Sequence, residues 1–89
     1  MIAIITVTGK DHTGIIAAVT SALATLNVNI LNLSQSILDT YFTMFLHCEF
    51  DDTKLDISTV QDAMNKVGEE QALSIRVQSE DIFTAMHRL

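Results

Sequence analysis

The stretch from Tyr41 to Phe50 constrains the fold of this chain more than any other, because its residues alternate without a break. Phe42, Met44, Leu46, Cys48 and Phe50 fall on one side, and Tyr41, Thr43, Phe45, His47 and Glu49 on the other. A period of two marks a β-strand, and a wholly apolar side must be covered by another layer. The opposite side is mixed, so the strand belongs to a sheet with helices on one face only. A slip of one residue would turn the whole apolar set to water, so the pattern also sets the register.

The rest of the chain supplies the neighbours and the cover. Ile2 to Val7 is a nearly continuous β-branched run that stops at Gly9, as expected of a central strand. Ile15, Val19, Leu23 and Leu26 recur at helical spacing with Ser21 and Thr25 off the stripe, and Asp11 or Thr13 stands ready to cap the first turn. Val28 to Leu38 reads as a second strand whose two faces are both mixed, and Asp39-Thr40 turns it into the strand at Tyr41 as an antiparallel hairpin. Ile57, Val60, Met64 and Val67 predict a second helix that fades near Gly68. Leu73, Ile75 and Val77 alternate as a fourth strand, and Ser79-Glu80-Asp81 opens a last helix with the face Ile82, Phe83, Met86 and Leu89.

The order is β-α-β-β-α-β plus a terminal helix. Right-handed connections over one antiparallel sheet fold this order into an α+β, ferredoxin-like sandwich with both main helices on one side. The other sheet face, with Tyr41 and Phe45, is expected to be uncovered, and an apolar patch of that kind marks an interface. The short last helix must dock on its own sheet or on another chain. A homodimer is expected.

At 89 residues, 48% of them hydrophobic and 18% charged, the chain has material for one domain, residues 1–89, and one core. A net charge of −6 and five basic residues scattered singly oppose phosphate backbones and anionic headgroups, so neither nucleic acid nor membrane is an expected partner. Cys48 has no second cysteine with which to form a disulfide or a thiolate site, and Met1 leads straight into a strand without the features of a secretory signal. The expected location is cytoplasmic.

The loop Gly9-Lys10-Asp11-His12-Thr13-Gly14 lies between a strand end and a helix start, where unpaired N–H groups attract carboxylates. Lys10 adds positive charge, Asp11 offers a partner for an ammonium group, and the two glycines allow close approach. A zwitterion suits such a loop; an ordinary turn with a capping acid suits it too. Asn29, at the start of the second strand, has an amide that both donates and accepts, which serves a ligand or a local turn equally well. The three histidines fall on different elements without metal-ligand spacing, and Cys48 sits in an apolar row. No metal, cofactor or catalytic residue is expected.

Asp11-His12-Thr13-Gly14-Ile15-Ile16, followed by Leu23-Ala24-Thr25-Leu26-Asn27-Val28-Asn29-Ile30, resembles the signature of ACT domains, the amino-acid-sensing modules of metabolic enzymes. The resemblance covers essentially the whole chain. It is nearest to the small stand-alone ACT proteins of bacteria and archaea, and the segments Ile75-Arg76-Val77-Gln78, Glu80-Asp81-Ile82-Phe83 and Ala85-Met86-His87-Arg88 are similar to their C-terminal part and to one half of glycine-cleavage-repressor-like proteins. The resemblance implies side-by-side or back-to-back pairing, with a ligand near the subunit interface between the first loop and the start of strand two. The matching positions are Asp11, Gly14, Asn29 and Ile30. His12-Thr13 stands where many members have Arg-Pro, and Asp11 where some amino-acid binders have Asn.

The implied function is a non-catalytic regulatory module that binds a small amino acid at a dimer interface and acts on an enzyme or transporter. The alternative is an interaction subunit that binds a partner protein without a metabolite. An acylphosphatase-like hydrolase of the same topology lacks its loop arginine, for which Lys10 is a poor substitute. An RNA-binding sandwich is opposed by the acidic balance.

Overall fold

Each apolar period of the sequence becomes one element of the structure. The computed structural model describes residues 1–86: β1 (Ile2–Lys10), α1 (Ile15–Thr25), β2 (Asn29–Leu38), β3 (Tyr41–Glu49), α2 (Ile57–Gln71), β4 (Leu73–Ser79) and α3 (Glu80–Met86). The readings made on His87, Arg88 and Leu89 lie outside the described residues. The sheet has four strands in the order β2-β3-β1-β4, every neighbouring pair antiparallel. This is the ferredoxin-like α+β arrangement expected from the element order.

The apolar row of β3 is buried as its alternation requires. Phe42, Met44, Leu46, Cys48 and the adjoining Phe50 pack with Ala3, Ile5 and Val7 of β1 beneath Ile15, Val19 and Leu23 of α1 and Val60, Met64 and Val67 of α2. Among the described residues no polar side chain is buried. The core therefore holds the fold together and offers no chemistry.

The mixed faces of β2 have a specific cause. The pairing with β3 shifts register between Ile30 and Asn32, which leaves Leu31 as an extra residue. Such a bulge reverses the side on which each later residue falls. Ile30 and, beyond the bulge, Leu33, Gln35 and Ile37 pair with the inward row of β3, while Asn32, Ser34 and Ser36 pair with its outward row. The Asn32 side chain accepts the Leu33 N–H at 2.8 Å, which steadies the irregularity.

Two expectations are corrected. α2 runs past Gly68 to Gln71 and turns at Ala72, whose φ of 56° is left-handed. Gly68 is needed inside the helix: a Cβ there would lie 2.8 Å from the Leu73 carbonyl oxygen, where β4 begins against the last turn. The outer sheet face is not bare either, because α3 lies across β1 and β4. Phe83 shares a cleft with Phe45, and Glu80 meets His47 at 2.8 Å. Ile82, Met86 and Tyr41 stay exposed.

Candidate functional site

The first loop owes its shape to Gly14. At φ 90° this residue adopts a left-handed conformation that a side chain would strain, and it occupies the N-cap position of α1 without any side-chain cap. Neither Asp11 nor Thr13 caps the helix, contrary to expectation. The first helical bond runs from the Ala18 N–H to the Gly14 carbonyl at 2.9 Å, so the amides of Ile15, Ile16 and Ala17 have no helical acceptor. The positive end of α1 is left open, and Asp11, freed from capping, is held by its own N–H on the Thr40 carbonyl at 2.8 Å.

These groups border a cleft of about 330 Å³, with Asp11, His12, Gly14 and the start of α1 on one side and Gln35, Ile37 and Phe42 on the other. Its size is near the lower end of small-molecule sites. A carboxylate has free amides to meet, an ammonium group has Asp11, and Ile37 and Phe42 give an apolar side chain a surface. Lys10 is not part of it: in the register of β1 it falls with Thr6 and Thr8 on the face away from the long helices. Gly9 also lies inside β1 and not in the turn.

Asn29 and Ile30 lie elsewhere. Asn29 pairs with Glu49, which pairs with Ile2 at the start of β1, whereas the first loop leaves from Lys10 at its end. The two halves are eight residue steps apart, about 26 Å at the usual rise of a strand. Within one chain, Asp11 and Gly14 come together, Asn29 and Ile30 come together, and no small ligand spans both pairs.

The titratable ring in the lining of the cleft, next to Asp11, is His12. Its Nδ1 lies 3.0 Å from the Thr13 carbonyl oxygen and its Nε2 2.9 Å from that of Gln71. These two acceptors, aided by the neighbouring Asp11 carboxylate, raise the imidazole above its ordinary pKa. No local pattern announces a contact with a residue 59 positions away.

The other reactive side chains have structural work. Burial pushes the Cys48 thiol up to about 11, the opposite of what a nucleophile needs. Asp51 accepts hydrogen bonds from the Thr53 hydroxyl at 2.6 Å and its N–H at 3.0 Å, which shape a turn and hold its carboxyl below the usual range. Among the described residues no cluster of histidine, cysteine and carboxylates is placed to hold a metal ion, and no helix is long and apolar enough to cross a membrane.

Residues 1–78 match the family model described as ACT domain. The chain belongs to the ACT domain family. A UPF0237 protein of Corynebacterium glutamicum is 60% identical over 89 residues, covering 100% of both chains. Among solved structures, the ACT domain protein from Streptococcus pneumoniae superposes with a TM-score of 0.83 at 41% identity, over 98% of each chain. A putative glycine cleavage system transcriptional repressor shares the fold, with a TM-score of 0.77 at 19% identity over 86% of this chain and 44% of that one. In this ACT domain Asp11 and Gly14 border the cleft, and Asn29 and Ile30 begin the edge strand.

Proposed function

We propose that this ACT domain is a non-catalytic regulatory module that senses a small amino acid between two copies of itself. The observation that carries the reading is the separation of the signature residues at opposite ends of the sheet. Antiparallel pairing of β2 with β2 of a second copy, centred between Leu33 and Ser34, brings the partner's Asn29 opposite Leu38, near Thr40 and Asp11. The strand is suited to it: β2 is an edge strand of ten residues, Asn29–Leu38, largely exposed and without a charge or a proline. The amides at the start of α1 then take the carboxylate and Asp11 the ammonium, while the partner's Asn29 and Ile30 close the site. A ligand shared by two chains favours the paired state, and that population shift is the regulatory output, read by an enzyme or transporter in the cytoplasm.

The test is thermal unfolding with each amino acid added in turn. A ligand at 100 times its dissociation constant adds about 2.7 kcal/mol, which moves the midpoint of a small domain by several degrees. Asn29→Ala is expected to weaken that binding and leave the dimer intact; unchanged affinity removes Asn29 from the site. The exposed Leu38, Tyr41 and Phe45 favour a second reading, an interaction subunit without a metabolite. A panel without any shift, joined by near-stoichiometric capture of one partner protein, would replace the first reading by the second.

A further inference from the structure

We propose that His12, in its doubly protonated form, is a clasp that fixes the β1/α1 loop against the C-terminal end of α2, so that protonation of one ring sets the shape of the cleft. Both ring nitrogens lie within hydrogen-bond distance of carbonyl oxygens, Thr13 at 3.0 Å and Gln71 at 2.9 Å. A carbonyl only accepts, so both bonds need N–H donors, and only the imidazolium has two. A neutral ring, whichever tautomer it adopts, turns one lone pair towards a carbonyl oxygen. Either the ring then leaves Gln71 or Thr13 moves, and Thr13 adjoins Gly14, where α1 begins.

The end of α2 gives the clasp its second support. The Ala72 N–H returns to the Gly68 carbonyl, which leaves the carbonyl of Gln71, the last helical residue, open to an outside donor. This is the negative end of the helix dipole, and the last turn of α2 contains no basic residue of its own. His12 supplies the missing cation. The Asp11 carboxylate on its own loop acts on the ring; the last turn of α2 carries Glu69 and Glu70, and Asp39 stands beside Thr40, whose carbonyl holds the Asp11 amide. All four are acidic, and Asp11 favours the imidazolium. Lys10, the nearest base in sequence, belongs by register to the opposite sheet face.

The sign follows from the bonds. The folded chain holds the ring proton more tightly than an ordinary histidine, so the clasp is complete below pH 6.5 and is lost as pH rises through the higher folded value. The clasp itself stands on geometry; its consequence, that a ligand in the cleft binds more weakly once the ring is neutral, rests on the sensing reading above.

The test begins with the full chain without ligand, followed by nitrogen-resolved NMR of its histidine rings and backbone amides across pH. Both His12 nitrogens are expected to carry protons in mild acid, the ring to titrate above the ordinary histidine value, and the amides of Gly14, Ile15, Ile16 and Ala72 to shift with the same midpoint. In His12→Gln those amides lose that midpoint while the core resonances stay in place. A ring that titrates at or below the ordinary value, or loop amides indifferent to it, overturns the clasp. The amino acids are then added on either side of the midpoint. Binding several-fold weaker on the alkaline side, in the natural chain and not in His12→Gln, supports the coupling, and equal affinity overturns it. Absence of binding at every pH overturns the sensing reading and the coupling together, while the ligand-free titration still decides on the clasp.

Discussion

Adjacent residues of β3 have opposite fates. Leu46 has no exposed surface, while Phe45, one position earlier, is 44% exposed. The same contrast runs across the sheet, where Ala3, Ile5 and Val7 are buried and Thr6 and Thr8 line an open cleft beneath Phe83. The inner face carries the stability of the domain. Among the described residues the outer face holds only the short α3 and keeps exposed apolar surface.

The sharpest way to break this contrast is to truncate the two neighbours. Leu46→Ala should cost about 2–5 kcal/mol in urea unfolding, as large-to-small changes in closed cores do, and Phe45→Ala no more than about 1 kcal/mol. Equal losses would mean that α3 and the outer face are part of the core. Next in size is Gly68→Ala. A helix interior ordinarily gains from alanine, but here the new Cβ lies 2.8 Å from the Leu73 carbonyl oxygen, and a net loss of about 1–3 kcal/mol is expected from the forced shift. A gain would show that the start of β4 gives way freely.

A smaller effect is expected in alkali. The unfolded chain releases the Cys48 proton above 9.0, whereas the folded chain holds it to about 11. Unfolding thus releases a proton in that window. Stability falls as pH rises through it, by roughly 1 kcal/mol at its middle, and Cys48→Ala removes the slope seen in unfolding curves. The smallest change belongs to the outer face. The His47 and Glu80 side chains are 40% and 46% exposed, so Glu80→Gln should alter the unfolding free energy by about 0–1 kcal/mol. A larger loss would make α3 an integral part of the domain.

The fold was legible wherever one period ran unbroken, as in Tyr41–Phe50 and the stripes of α1 and α2. It was obscured in β2 because the bulge at Leu31 changes phase mid-strand: Ile30 belongs to one alternation and Leu33, Gln35 and Ile37 to the next. Gly68 read as a helix end because a close approach by Leu73 leaves no mark in the helix's own pattern. In the candidate site, Asp11 and Gly14 were legible as a loop at a helix start. His12 was not, since its second acceptor lies at the far end of α2. The distance between Asn29 and that loop appears only once register is known.

The most direct measurement is complementation between two defective chains. Asp11→Ala and Asn29→Ala are each prepared, shown to bind the responsive amino acid weakly, and then mixed, with subunit exchange followed by mass. If the loop of one chain and Asn29 of its partner form one site, every mixed dimer contains one intact site, and calorimetry finds tight binding restored in a fraction of the sites. If exchange is complete and the mixture binds as weakly as either variant alone, the site is not shared between chains and the account is contradicted.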